Sequence, residues 1–157
     1  MKVHKVDPKV DRSALLAGAQ FIDAYSIVID HAALDARRAA EKMLARGPRW
    51  IDVLLALRNY LVTPFGLKTP SPNRRVATDA VGIFPVLSES PDRLVAGFND
   101  KHLDFRVVVD VASAGPGQQV TATTLVLTHN WLGRFYLAII LPFHRLIVRA
   151  MLRQVAA

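Results

Sequence analysis

Cysteine is absent from this 157-residue chain, which excludes disulfide scaffolding, thiolate catalysis and zinc–cysteine sites together. Acidic residues are scarce: 13 Asp and Glu face 20 Lys and Arg, the formal net charge is +7, and no acid follows Asp110. The phosphate-cradling, dinucleotide-binding, nucleophile-elbow, zinc-protease and calcium-loop patterns are all missing, so no motif stands behind a cofactor and none is expected. A metal is not expected either, because no two of His102, His129 and His144 lie at a helical i, i+3 or i+4 spacing. The first dozen residues are charged and lead into no apolar stretch of signal-peptide length, so a cytoplasmic location is the expectation. Long uncharged runs are missing too. The longest near the C-terminus, residues 135–143, holds nine residues against the ~20 that a membrane-spanning helix needs. It predicts a buried helix segment rather than an anchor.

What is present is ample core material. The apolar fraction of 52% and the charged fraction of 21% describe a chain that buries a single core, with one domain expected at this length. Residues 1–18 read as a polar arm and residues 19–157 as the domain. Alternation over residues 19–29 predicts a first strand, with Phe21, Tyr25 and Ile27 toward one side and Asp23 among them as an exception. Asp30 or Asp35 caps a helix that runs to Arg46, where Gly47-Pro48 stops it and starts another. Trp50, Val53, Leu54, Leu57 and Leu61 form a core-facing stripe on that second helix. A surface loop over residues 65–80 leads to strands at 81–88, 93–99, 102–113 and 119–128, with Gly97 marking a bulge. Asn130 caps a long terminal helix, which Pro142 kinks by removing a hydrogen bond near Ala138. The predicted class is α+β: a curved antiparallel sheet gripping a long C-terminal helix, with two short helices after the first strand.

That order is similar to the START-like, or helix-grip (SRPBCC), superfamily. The strings Lys101-His102-Leu103-Asp104-Phe105-Arg106, Thr128-His129-Asn130, Gly133-Arg134-Phe135-Tyr136 and Pro142-Phe143-His144-Arg145 resemble a bacterial family of uncharacterised domains. Leu57-Arg58-Asn59-Tyr60-Leu61-Val62 and Phe65-Gly66-Leu67 extend the likeness over residues 20–153. The superfamily resemblance implies binding of lipids, steroids, polyketides or other apolar molecules, and cyclase or hydrolase activity in some members. The narrower family implies no activity and no catalytic residues.

The resulting expectation is a carrier or sensor for a small apolar or amphipathic molecule held between sheet and C-terminal helix. Trp50, Phe105, Val107, Leu125, Leu127, Phe135, Ile139 and Phe143 would line that pocket, with His129 and His144 as polar candidates. Strand alternation places His102, Asp104, Arg106 and Asp110 on one face and the apolar set from Leu103 to Val111 on the other. If the apolar set meets the helix, the polar set is a solvent face with cross-strand pairs. If the polar set lies in the pocket mouth, His102, Asp104 and Arg106 become candidate catalytic residues for proton transfer on a carbonyl compound. A third reading uses Arg145, Arg149 and Arg153, at i, i+4, i+8, for weak contact with an anionic membrane. No aromatic-interleaved basic strand, helix-turn-helix or zinc-finger spacing supports specific nucleic-acid binding. Both a monomer and a homodimer fit these patterns.

Overall fold

The computed structural model describes residues 2–30, 33–45, 80–81, 84–99 and 103–156. The second predicted helix, with Trp50, the loop at 65–79 and His102 lie outside the described residues. The strands are β1 (His4–Val6), β2 (Phe21–Ile29), β3 (Ala80–Val81), β4 (Phe84–Glu89), β5 (Arg93–Asn99), β6 (Leu103–Ala114) and β7 (Gly117–Thr128). The described helices are α1 (Arg12–Leu15), α2 (Ala36–Ala45) and α3 (Trp131–Val155). Sheet order is β1-β2-β7-β6-β5-β4-β3 with every pair antiparallel, the two-residue β3 extending a six-stranded sheet. The fold is α+β, in a helix-grip layout.

The centre of the sheet is a hairpin of two twelve-residue strands, β6 and β7, in unbroken register from Leu103↔Thr128 to Ala114↔Gly117. A two-residue loop closes it, with Gly115 at φ 58°. This is the positive-φ first position that a tight hairpin favours, because it matches the right-handed twist of the strands. β2 then pairs along the other edge of β7, from Phe21↔Val126 to Ile29↔Gln118. Strand parity therefore sorts the side chains into two faces, and both faces are covered.

The larger core lies on the helix side. Tyr25, Ile27, Val109, Val120 and Ala122 from the sheet meet Val148, Leu152 and Val155 of α3 and Ala39, Ala40 and Met43 of α2. The i, i+4, i+7 spacing of the α3 set is one helix face. Alanines on α2 allow close approach, and Arg37 fastens that helix outward through Glu41 at 3.0 Å and Glu89 at 2.8 Å. Asp35 is its capping acid, accepting from the Arg38 backbone N–H at 2.8 Å. Asn130 caps α3 by accepting from the Gly133 N–H at 3.0 Å.

The opposite face carries a smaller core, in which Val95, Val108 and Leu125 are covered by Leu16 and Ala19. Residues read from composition as a polar arm therefore contribute structure: β1 pairs with β2 at His4↔Ser26, and α1, capped by Asp11, leads into the covering segment. The expected bulge at Gly97 is corrected. β5 pairs with β6 continuously through Gly97↔Arg106, and the register shift lies in β4, between Val86 and Ser88. Gly97 marks a close backbone approach instead.

Candidate functional site

The polar row of β6 faces away from α3. Val107 stands opposite Thr124 and packs in the helix-side core, so Asp104, Arg106 and Asp110 belong to the other face by parity. Each is engaged locally. Arg93 holds Asp110 through two bonds, Nε to Oδ1 at 2.6 Å and Nη2 to Oδ2 at 3.2 Å, from the directly opposed position on β5. The Asp110 hydrogen bond raises the Arg93 guanidinium above its ordinary pKa, against the opposing effect of burial. A raised pKa on a cation contributes stability below the unfolded value and loses it only as pH rises through the folded one, so this pair is constant across neutral pH. Because Arg93 is 40% exposed, Asp110→Asn is expected to cost only about 0.5–1 kcal/mol by urea unfolding. A much larger loss would mean that the pair is anchored by more than its own bond.

Asp104 Oδ1 lies 2.9 Å from Nε2 of His129, which follows β7. Arg106 donates from Nη1 to the Phe105 carbonyl at 2.9 Å. Of the two placements open to the polar set, the outer face with cross-strand pairs is the one observed and the pocket mouth is corrected: Asp110 pairs with Arg93 across to β5 and Asp104 reaches His129 beyond β7, while Arg106 bonds within its own strand. The physical reason is parity, since residues that share a face with Val108 cannot also face α3.

The apolar pocket set is divided in the same way. Phe105 and Val107 face the helix, but Leu125 and Leu127 belong with Leu16 and Ala19 on the outer side. Phe135, Ile139 and Phe143 do not face the sheet; all three are exposed on α3. The buried helix segment expected at residues 135–143 is accordingly corrected. The sheet-facing side of α3 is set by Val148 and Leu152, one face away from those three side chains.

His144 is the site candidate that the tertiary structure brings inward. Its Nε2 lies 3.1 Å from Oδ1 of Asp23, with side-chain exposures of 16% and 9%. β2 supplies the acid and the residues around it. Asp23 shares the helix-facing parity of Phe21 and Tyr25 and stands opposite Thr124, itself buried. The Phe21 ring meets the imidazole edge-on, with centroids 5.5 Å apart at 85°. From His144 to Arg149 the helix advances about 7.5 Å, and β2 advances about 6.6 Å from Asp23 to Tyr25. Arg149 therefore reaches Tyr25, its guanidinium carbon 5.8 Å from the ring centroid. The arginine row expected along the helix is broken at this point, and the Arg149 Nε is buried with no hydrogen-bond partner among the described residues.

Sequence alternation registered Asp23 only as an exception. The usable signal was its position: a carboxylate between two core-facing aromatics requires a partner, because an unpaired buried charge is strongly disfavoured. The pair fixes the imidazole's orientation and leaves its second nitrogen able to donate or accept according to tautomer. Positions that share the His144 face by helical spacing, Leu137, Ile140, Leu141 and Ile147, are only half-buried, whereas Val148 and Leu152 are fully covered. α3 is thus buried at its C-terminal end and at its first turn, where Leu132 and Gly133 are covered, and packs more loosely in between, over residues 137–147. Among the described residues no three potential ligands converge to hold a metal.

Residues 15–151 match the model of the family described as Protein of unknown function (DUF2867). The chain belongs to that family. The matched span contains both carboxylate–imidazole pairs, Asp23–His144 and Asp104–His129. No curated protein matches the chain.

Proposed function

We propose that this DUF2867 domain binds a small amphipathic molecule along the looser part of the seam between α3 and the sheet, as a carrier or sensor. The observation that carries the reading is the Asp23–His144 pair, a polar contact on a sheet face that is otherwise largely apolar. Sites for such molecules are mostly apolar with a few placed polar groups. Here the imidazole and the Arg149 Nε, which has no hydrogen-bond partner among the described residues, supply groups suited to a carboxylate or carbonyl head, while Phe21 and the half-buried side of α3 supply apolar wall. The helix-grip layout supports placing the family within the START-like superfamily, as the element order suggests.

The test uses native mass spectrometry before and after organic extraction, followed by titration with cis-parinaric acid, a fluorescent fatty acid. His144→Gln is expected to weaken the probe about tenfold, the loss of one charge-assisted hydrogen bond. Phe135→Ser, on the exposed side of α3, should leave affinity within about twofold. The reverse pattern would place binding on the outer helix face and end this reading.

A further inference from the structure

We infer that the exposed face of α3 is a docking surface for an anionic lipid membrane. This does not rest on the seam binding a ligand. Trp131, Phe135, Ile139, Phe143 and Leu146 are large apolar residues left open to solvent, with exposures of 68%, 58% and 57% for Trp131, Phe135 and Leu146. Their spacings of four, four, four and three residues keep them on one side of the helix, a stripe about 22 Å long. Large contiguous apolar patches rimmed by polar groups mark contact surfaces, whereas scattered apolar residues do not.

The occupant is chosen by charge. Arg134 and Arg145, eleven residues apart and so nearly aligned on the helix, border the stripe, and Arg153 continues its line; all three are exposed. No acidic residue occurs anywhere after Asp110 to offset them. Such a surface combines apolar insertion with attraction to anionic headgroups, the two terms that hold an interfacial amphipathic helix. Trp131 at one end suits the headgroup boundary. A second copy of the chain would bring the same arginines against one another, so self-association is disfavoured by the same charges.

The helix lies on the membrane rather than through it. By length and composition α3 is sufficient to cross a bilayer. Val148, Leu152 and Val155, however, are committed to the sheet core. Threading the helix through lipid would extract them and carry Arg145 and Arg149 into hydrocarbon. Docking along the exposed side leaves the fold intact.

The experiment is co-flotation of the full chain with phosphatidylcholine vesicles and with vesicles of phosphatidylcholine mixed with phosphatidylglycerol, at low and high salt. Binding to the mixed vesicles is expected, weak on the neutral ones and fading as salt rises. The double variant Phe135→Ser, Leu146→Ser should lose about tenfold or more in partitioning, and Arg134→Gln with Arg145→Gln should remove most of the preference for anionic lipid. Both variants alter exposed positions, and circular dichroism checks that they fold. Absence of flotation, equal binding to both vesicle types, or unchanged binding by the folded double variant would overturn the inference. So would a concentration-dependent dimer that the same serine substitutions dissolve, because the stripe would then be covered by a second copy.

Discussion

Gly97→Ala is expected to lower the free energy of unfolding by on the order of 3 kcal/mol, and larger side chains at that position should prevent folding. Gly97 has φ 156°, a backbone conformation that L side chains rarely adopt, and a Cβ built on it would stand 2.1 Å from the Phe105 carbonyl oxygen. Two penalties therefore combine. The obstruction is backbone on the neighbouring strand, so no rotamer change relieves it, and β5 would have to move away from β6 along the ladder that runs Arg93↔Asp110 to Asn99↔Asp104. β5 also carries Leu94 and Ala96 into the helix-side core and Val95 into the outer one, so a displaced strand disturbs both. Urea unfolding with a far-ultraviolet readout measures the effect. A change within about 0.5 kcal/mol, the range of ordinary surface substitutions, would show that β5 and β6 do not approach so closely.

The second large effect distinguishes the two faces of α3. Leu152 is fully buried and belongs to the helix-side core. Leu152→Ala removes three carbons from a packed site and should cost about 2–5 kcal/mol, the transfer loss plus the cavity left behind. Leu146, on the same helix, is 57% exposed, so Leu146→Ala should fall within about 0.5 kcal/mol of the parent apart from a small propensity gain. The contrast matters for both functional proposals. It would show that α3 is held to the sheet by the face carrying Val148, Leu152 and Val155 while the face carrying Leu146 is open to other partners. If the two substitutions cost the same, the helix is not docked as described, and neither the seam nor the exposed stripe keeps its assignment.

These assignments show how local signals and tertiary placement divide. The strand at 93–99, the Asn130 cap and a cap for α2 at one of Asp30 and Asp35 were legible because each depends on chemistry within a few residues, as does the short hairpin loop at Gly115-Pro116. A capping side chain must accept from an N–H two or three positions on, and a tight loop requires a residue tolerant of positive φ. The outward placement of Phe135, Ile139 and Phe143 was not legible. A helix that is apolar on most sides over residues 135–143 gives no azimuth, and the packed face was decided by Val148, Leu152 and Val155 further along. Alternation sorted the β6 residues into two faces but not which face meets α3, because Val108 is buried on the outer face as Val107 and Val109 are on the helix side, and contrast in polarity fades where both faces are covered.

Asp23 and His144 stand 121 residues apart, and their meeting is a property of the assembled sheet. β2 had to pair with β7 to set the parity of Asp23, and α3 had to cross that face to bring His144 down upon it. Taken alone, the sequence determined the α+β class, the order of β2, α2, β4, β5, β6, β7 and α3, the Asn130 cap, the positive charge and the lack of acids beyond Asp110. Those are sums over composition or interactions between near neighbours. Which face of β6 meets α3, which side of α3 is bare and which carboxylate meets which imidazole were decided only by the tertiary structure. Each depends on how distant segments compete to cover the same apolar surface, and that competition has no local signature.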